Sequence, residues 1–185
     1  LPLFLFVLVP LMIVFVISSD RVRVLIAAVI FVAASLTDWL DGFMARRRNQ
    51  VTRFGTLLDP VADKLLVAAA LVALVQVDMV RAWVAMVIIG RELAVTGLRG
   101  VALSMGVVVP ASSFGKLKTV SQYVGITILI LERGVPPQYV PFHLLSVAAL
   151  WVMLGLTVLS GADYFYRFLL KAGPRAIIKD LERWP

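Results

Sequence analysis

The chain alternates long apolar runs with short polar interruptions. Six runs approach the length of about 20 residues that a helix rising 1.5 Å per residue needs to cross ~30 Å of hydrocarbon. They are residues 1–18, without a charge; 24–46, apolar as far as Asp38; 56–77, apolar after Lys64; 82–99, carrying Arg91 and Glu92; 118–131, short and best begun near Ser113; and 139–161, carrying His143. The interruptions at 19–23 and 133–138 are brief and polar, so neighbouring spans are predicted to run antiparallel. No internal repeat and no low-complexity tract is visible. The predicted fold class is all-α: a polytopic membrane protein with six transmembrane helices over residues 1–168, then a cytoplasmic tail over 169–185 forming a C-terminal interfacial amphipathic helix. In that tail Ile177, Ile178, Leu181 and Trp184 share one helical face, and Lys179, Asp180, Glu182 and Arg183 take the other. A solvated tail is the competing reading.

Composition sharpens this picture. Of 185 residues 61% are hydrophobic and 16% charged, which excludes an ordinary water-soluble globule and a disordered chain. The 18 Lys and Arg exceed the 11 Asp and Glu, giving a net charge of +7. In so apolar a chain such an excess marks the cytoplasmic side of a membrane, not a nucleic-acid partner. Arg46, Arg47, Arg48, Arg53, Arg99, Lys116, Lys118, Arg167, Lys171, Arg175, Lys179 and Arg183 fall on one side, against Arg21, Arg23, Arg81 and Arg133 on the other. The richer side holds both chain ends and the connections after the second and fourth spans, which predicts a multi-pass membrane protein with these parts in the cytoplasm; the bacterial inner membrane is the expected location. No Met precedes Leu1, which opens inside an apolar run, so the native start is expected upstream. With no Cys and a single His, disulfides, thiolate ligands and multi-His metal sites are excluded within the chain. The lone His143 reads as a structural or interfacial residue, and Trp83 and Trp184 as interface anchors.

Four carboxylates break the apolar pattern. Asp38 and Asp41 sit three apart in the second run, and Asp59 and Asp63 four apart in the third, so each pair projects from one side of its helix. Asp38 follows Arg23 by 15 residues and Asp63 precedes Asp78 by 15, which sets both about 22 Å from the outer ends of antiparallel helices, just below the cytoplasmic surface. Each acid costs roughly 2.5–3.5 kcal/mol at a bilayer centre, so a function is the default reading. Four facing carboxylates without cations would repel and protonate; divalent metal resolves this. Oxygen ligands favour a hard ion, Mg²⁺ or Mn²⁺ and less readily Ca²⁺, and four carboxylates can hold two ions ~4 Å apart for displacement at phosphorus. Gly42 and Ala45 on the same face leave room for a ligand near the backbone, Arg46 can pair with phosphate, and Gly55 leaves space before the third span. The bland reading is that the small residues serve helix packing and that the acids are neutralised by Lys64 or Arg46.

The pattern Asp38-x2-Asp41-Gly42-x2-Ala45-Arg46-x8-Gly55-x3-Asp59-x3-Asp63 resembles the signature of the CDP-alcohol phosphatidyltransferases at every fixed position. The resemblance implies a homodimeric membrane enzyme with two metal ions that transfers a phosphatidyl group from a CDP-linked lipid to an alcohol and releases CMP. By that match Asp38, Asp41, Asp59 and Asp63 are metal ligands, Asp63 is also the general base, and Gly42, Ala45, Arg46 and Gly55 line the CDP site.

The fourth and fifth spans bear on the acceptor. Glu92, Thr96 and Arg99 share a helical face with Arg91 at its margin, and Lys116 and Lys118 follow a polar connection. A cluster of Arg91, Arg99, Lys116 and Lys118 fits an acceptor that bears a phosphate. The alternatives are a buried Arg91–Glu92 ion pair and simple charge flanking by Lys116 and Lys118. The run from Arg91-Glu92-Leu93 to Gly97-Leu98-Arg99, with Gly115-Lys116-Leu117-Lys118-Thr119, resembles the phosphatidylglycerophosphate synthase branch. That implies CDP-diacylglycerol as donor, sn-glycerol 3-phosphate as acceptor and phosphatidylglycerol phosphate as product, with membrane lipids as surroundings and no nucleic acid. Members of the branch usually carry a short amphipathic segment before the first span. Inositol phosphate, serine and phosphatidylglycerol remain alternative acceptors. A carboxylate-lined cation or proton transporter is the rival of another class, and it predicts acids at several depths, not one.

Overall fold

A computed structural model describes the backbone of residues 2–48, 53–107, 113–136 and 140–181, with side chains described over 7–37, 64–107, 114–136 and 140–171. The described residues form six helices and no strand: α1 (Pro2–Ile17), α2 (Arg21–Arg48), α3 (Arg53–Gln76), α4 (Ala82–Ser104), α5 (Ser113–Gly134) and α6 (Val140–Leu181). Each answers to one of the six apolar runs. Around the bundle the neighbours follow the order α1, α2, α5, α6, α4, α3 and back to α1, with α3 also touching α2 and α5. Consecutive helices are therefore not always adjacent, and α4 packs on α6, not on α5.

Local chemistry sets several of the boundaries. Asp20 opens α2, its Oδ1 accepting the Val22 N–H at 3.0 Å and so satisfying one of the first-turn donors. After α3 the chain turns through Asp78 at φ 59°, where Asp78 and Met79 donate back to the Val75 and Leu74 carbonyls at 3.1 and 3.0 Å. After α4 the same pattern recurs at Gly106 at φ 70°, which donates to Leu103 while Val107 donates to Ala102 at 2.8 Å. Both are left-handed helix terminations that spend orphan carbonyls inside the chain, and glycine carries the second at no steric penalty. The end of α1 is closed from a distance: Arg133 Nε donates to the Val16 carbonyl at 2.9 Å, and Nη2 reaches those of Ile17 and Ser18 at 3.4 and 3.3 Å. At the same end of the molecule His143 Nδ1 pairs with Glu132 Oε1, joining the end of α5 to the start of α6.

The centre is filled by Met12, Phe31, Leu71, Leu74, Ile126, Ile130 and Met153, all fully buried. Outside, large apolar side chains such as Val7, Val29, Met86, Leu93, Leu144 and Leu170 are more than 60% exposed, while Ser35, Lys118, Gln122, Ser146, Thr157 and Ser160 lie buried. An apolar exterior this extensive around a partly polar interior calls for lipid, not water, at its surface. Among the described residues one helix, over Val140–Lys171, is long and apolar enough to cross a membrane by length and composition alone. Helix α6 runs on without a break past residue 169, where a separate tail was expected, to Leu181.

Candidate active site

Helix α2 carries Asp38 and Asp41, and α3 carries Asp59 and Asp63, on elements that contact one another. The helical register keeps the three- and four-residue spacings on one side of each helix. Gly42, Ala45 and Arg46 lie within α2 and Gly55 within α3, while the side chains of the four acids, Ala45 and Arg46 lie outside the described residues. The donor set itself is all carboxylate, which fits a hard divalent ion and no softer one.

The described side chains of α4, α5 and α6 build a buried charge cluster. Glu92 on α4 is its hub. Lys118 Nζ from α5 donates to Glu92 Oε1, Arg91 Nη1 donates to the same oxygen at 3.1 Å, and Gln122 Nε2 approaches it at 3.4 Å. Gln122 and Lys118 are four apart on α5, so one face of that helix supplies both donors. Arg91 Nη2 continues to Ser160 Oγ on α6 at 3.0 Å, and Gln122 Nε2 to Thr157 Oγ1 at 3.4 Å. Glu92 and Arg91 side chains are only 13% and 14% exposed, and that of Lys118 6%. Among the described residues two cations share one carboxylate in a water-poor interior, an arrangement that holds only because the charges are paired. Gly161 makes the space: a Cβ there would lie 3.0 Å from Arg91 Cγ.

The expected acceptor-phosphate residues are thus divided. Arg91 and Lys118 meet on Glu92. Lys116, two positions from Lys118 and so on the other side of α5, is exposed. Arg99 lies eight residues beyond Arg91, about 12 Å along α4, and its guanidinium sits over the Tyr164 ring at 5.8 Å from the centroid. The ion-pair alternative for Arg91 and Glu92 is the arrangement observed, now with Lys118 as a third member. The partners Gln122, Thr157, Ser160 and Tyr164 were not anticipated, although isolated polar residues at four-residue spacing within apolar runs were the available signal.

A cleft of about 340 Å³ lies between α3 and α4. Lys64, the residue after Asp63, lines it together with Glu92 and Thr96, while Leu65, Ile89 and Leu93 make it apolar elsewhere. A second apolar cleft, about 400 Å³, opens between α2 and α5 along Val32, Leu36, Val120 and Val124. The arrangement joins a carboxylate-rich helix pair, a cationic interior and apolar slots, which together can hold an anionic headgroup with its hydrocarbon chains.

Comparison with known proteins agrees with this chemistry. The family model described as CDP-alcohol phosphatidyltransferase matches residues 1–159. The chain is 49% identical over 152 residues to a Bacillus subtilis (strain 168) protein named CDP-diacylglycerol–glycerol-3-phosphate 3-phosphatidyltransferase, covering 80% of this chain and 76% of that protein. It is 39% identical over 152 residues to a protein of the same name from Rickettsia bellii (strain RML369-C), covering 82% of each. It is also 40% identical over 156 residues to a Mycobacterium tuberculosis (strain ATCC 25618 / H37Rv) protein named probable phosphatidylglycerophosphate synthase, covering 84% of this chain and 70% of that protein.

Proposed function

The chain belongs to the CDP-alcohol phosphatidyltransferase family, and from that premise we propose that it transfers the phosphatidyl group of CDP-diacylglycerol to sn-glycerol 3-phosphate, releasing CMP and forming phosphatidylglycerol phosphate. The observation that carries the reading is similarity along most of the chain to relatives named for this reaction. The buried cations at Arg91 and Lys118 support an acceptor that is itself phosphorylated.

In this reading a hydroxyl oxygen of glycerol 3-phosphate attacks the phosphorus that carries the diacylglycerol, the bond from that phosphorus to the CMP oxygen breaks, and CMP leaves. Asp63 takes the hydroxyl proton, held within reach by α3, so positioning matters more than basicity. Asp38, Asp41, Asp59 and Asp63 would hold two Mg²⁺ or Mn²⁺ ions, which would supply positive charge against the diphosphate and the departing CMP. Gly42, Ala45, Arg46 and Gly55 would admit and grip the CDP moiety. Arg91, Arg99, Lys116 and Lys118 would draw in the acceptor phosphate, and the clefts beside α3 and α2 are apolar enough to accept acyl chains.

The six helices would all span the bilayer, with the acids near the cytoplasmic side of a bacterial inner membrane, in a homodimer. Helix α6, 42 residues and so about 63 Å long, exceeds the hydrocarbon thickness about twofold. Residues 169–185 would occupy the cytoplasmic interface.

Purified protein supplied with CDP-diacylglycerol, glycerol 3-phosphate and Mg²⁺ should release CMP, and chelation or Asp63→Asn should abolish release. Inositol phosphate, serine and phosphatidylglycerol tested side by side decide the acceptor. CMP release with one of these and not with glycerol 3-phosphate overturns the branch while leaving the family in place.

A further inference from the structure

Arg99 and Tyr164 form a pair that the buried cluster does not use. Arg99 is exposed, and among the described residues its guanidinium donates no hydrogen bond; its recorded partner is the face of the Tyr164 ring. At 5.8 Å from the centroid the contact is within cation–π range. Tyr164 itself is 6% exposed, and among the described residues its buried hydroxyl has no hydrogen-bond partner. A phenylalanine would fill the same space without that penalty. Tyr164 is four residues after Ser160 on α6, on the face that meets Arg91, and one turn before Phe168, which packs with Ala102 of α4. The ring is therefore wedged in the seam between α4 and α6, a rigid platform under a side chain that would otherwise sample many rotamers.

We infer that Tyr164 is a positioning residue for the transfer reaction: its ring fixes the Arg99 guanidinium so that its unspent N–H donors meet the phosphate of the acceptor. The face of an aromatic ring holds a planar guanidinium without consuming its in-plane donors, unlike the carboxylate that engages Arg91 and Lys118. Unlike Arg91 and Lys118, Arg99 can bind a phosphomonoester without first giving up a carboxylate, and unlike the exposed Lys116 its planar fork is held on a ring. The inference rests on the proposed reaction.

The test is steady-state CMP release by full-length variants in lipid nanodiscs. Tyr164→Leu should raise KM for glycerol 3-phosphate about fivefold, with kcat and KM for CDP-diacylglycerol near those of the unmodified protein. Tyr164→Phe keeps the ring and should restore KM. In an Arg99→Leu background, Tyr164→Leu should add nothing further. An unchanged KM in Tyr164→Leu, a rise confined to CDP-diacylglycerol, or full additivity with Arg99→Leu overturns the inference. Failure of the unmodified protein to use glycerol 3-phosphate at all sinks the proposed function instead, so the two failures are distinguishable. Should Tyr164→Leu not accumulate as folded protein, Tyr164→Met, which fills the seam without a π face, replaces it.

Discussion

Lys118 of α5 donates its ammonium to the Glu92 carboxylate of α4, 26 residues earlier in the chain, with both side chains nearly sealed from solvent. Helices α4 and α5 are sequential but are not principal packing neighbours, so this bond ties two elements that the apolar core holds together only through α6 and α3. Glu92→Leu should destabilise the protein by about 3–5 kcal/mol, because it removes the buried carboxylate that accepts from both Arg91 and Lys118. Pairing it with Lys118→Met should recover part of that loss, although Arg91 still lacks its carboxylate. Thermal unfolding of the singles and the double in one detergent checks both statements. Equal destabilisation by the double and the sum of the singles would mean that the two charges are not coupled.

Arg133 should matter for stability and not for turnover. Its three contacts to the last carbonyls of α1 spend acceptors that the helix leaves open, at the end of α5 about 22 Å from Lys118. Arg133→Met should cost about 1.5–3 kcal/mol, the range for hydrogen bonds from a charged donor. KM values for both substrates should stay within twofold of those of the unmodified protein. A shift in substrate affinity with unchanged melting temperature would contradict this assignment.

Tyr164→Phe removes a buried hydroxyl that has no partner among the described residues. The melting temperature should rise, corresponding to about 1–3 kcal/mol of relieved desolvation, while the ring stays under Arg99. A fall in melting temperature would show that the hydroxyl is bonded in the folded protein.

Much of the architecture was legible in the pattern of apolar runs, because each run is long enough to form a helix and the polar interruptions between them mark the turns. The six runs correspond to α1–α6, and even the short fifth run, begun near Ser113, matches α5 (Ser113–Gly134). What was not legible was who neighbours whom. Spacing along α4 groups Glu92, Thr96 and Arg99, but only the packing of α4 on α6 separates Arg99, over Tyr164, from Glu92, against Lys118. Residues at Gln122, Thr157 and Ser160 are single polar positions whose meaning depends on partners 30 or more residues away. The unbroken passage of α6 through residue 169 was hidden for a different reason. The charged residues of the tail are compatible with a continued helix as well as with a new element.

Two glycines of α6 separate packing from propensity. Gly155 has nothing within 4 Å of the place where a Cβ would stand, whereas at Gly161 that Cβ would lie 3.0 Å from Arg91 Cγ and 3.5 Å from Nε. Alanine gains about 0.8–1 kcal/mol over glycine inside a helix, so Gly155→Ala should stabilise by up to about that amount. At Gly161 the same gain meets an overpacking cost of about 1–3 kcal/mol. Arg91 cannot easily yield, since its guanidinium is held by Glu92 at one nitrogen and Ser160 at another. Gly161→Ala should therefore be neutral to destabilising, and it should weaken use of glycerol 3-phosphate by displacing Arg91. The comparison is made by thermal unfolding and CMP release on the two variants in parallel. If Gly161→Ala stabilises as much as Gly155→Ala and leaves turnover intact, the Arg91 stem is free to move and the close fit between α4 and α6 at that level has no functional weight.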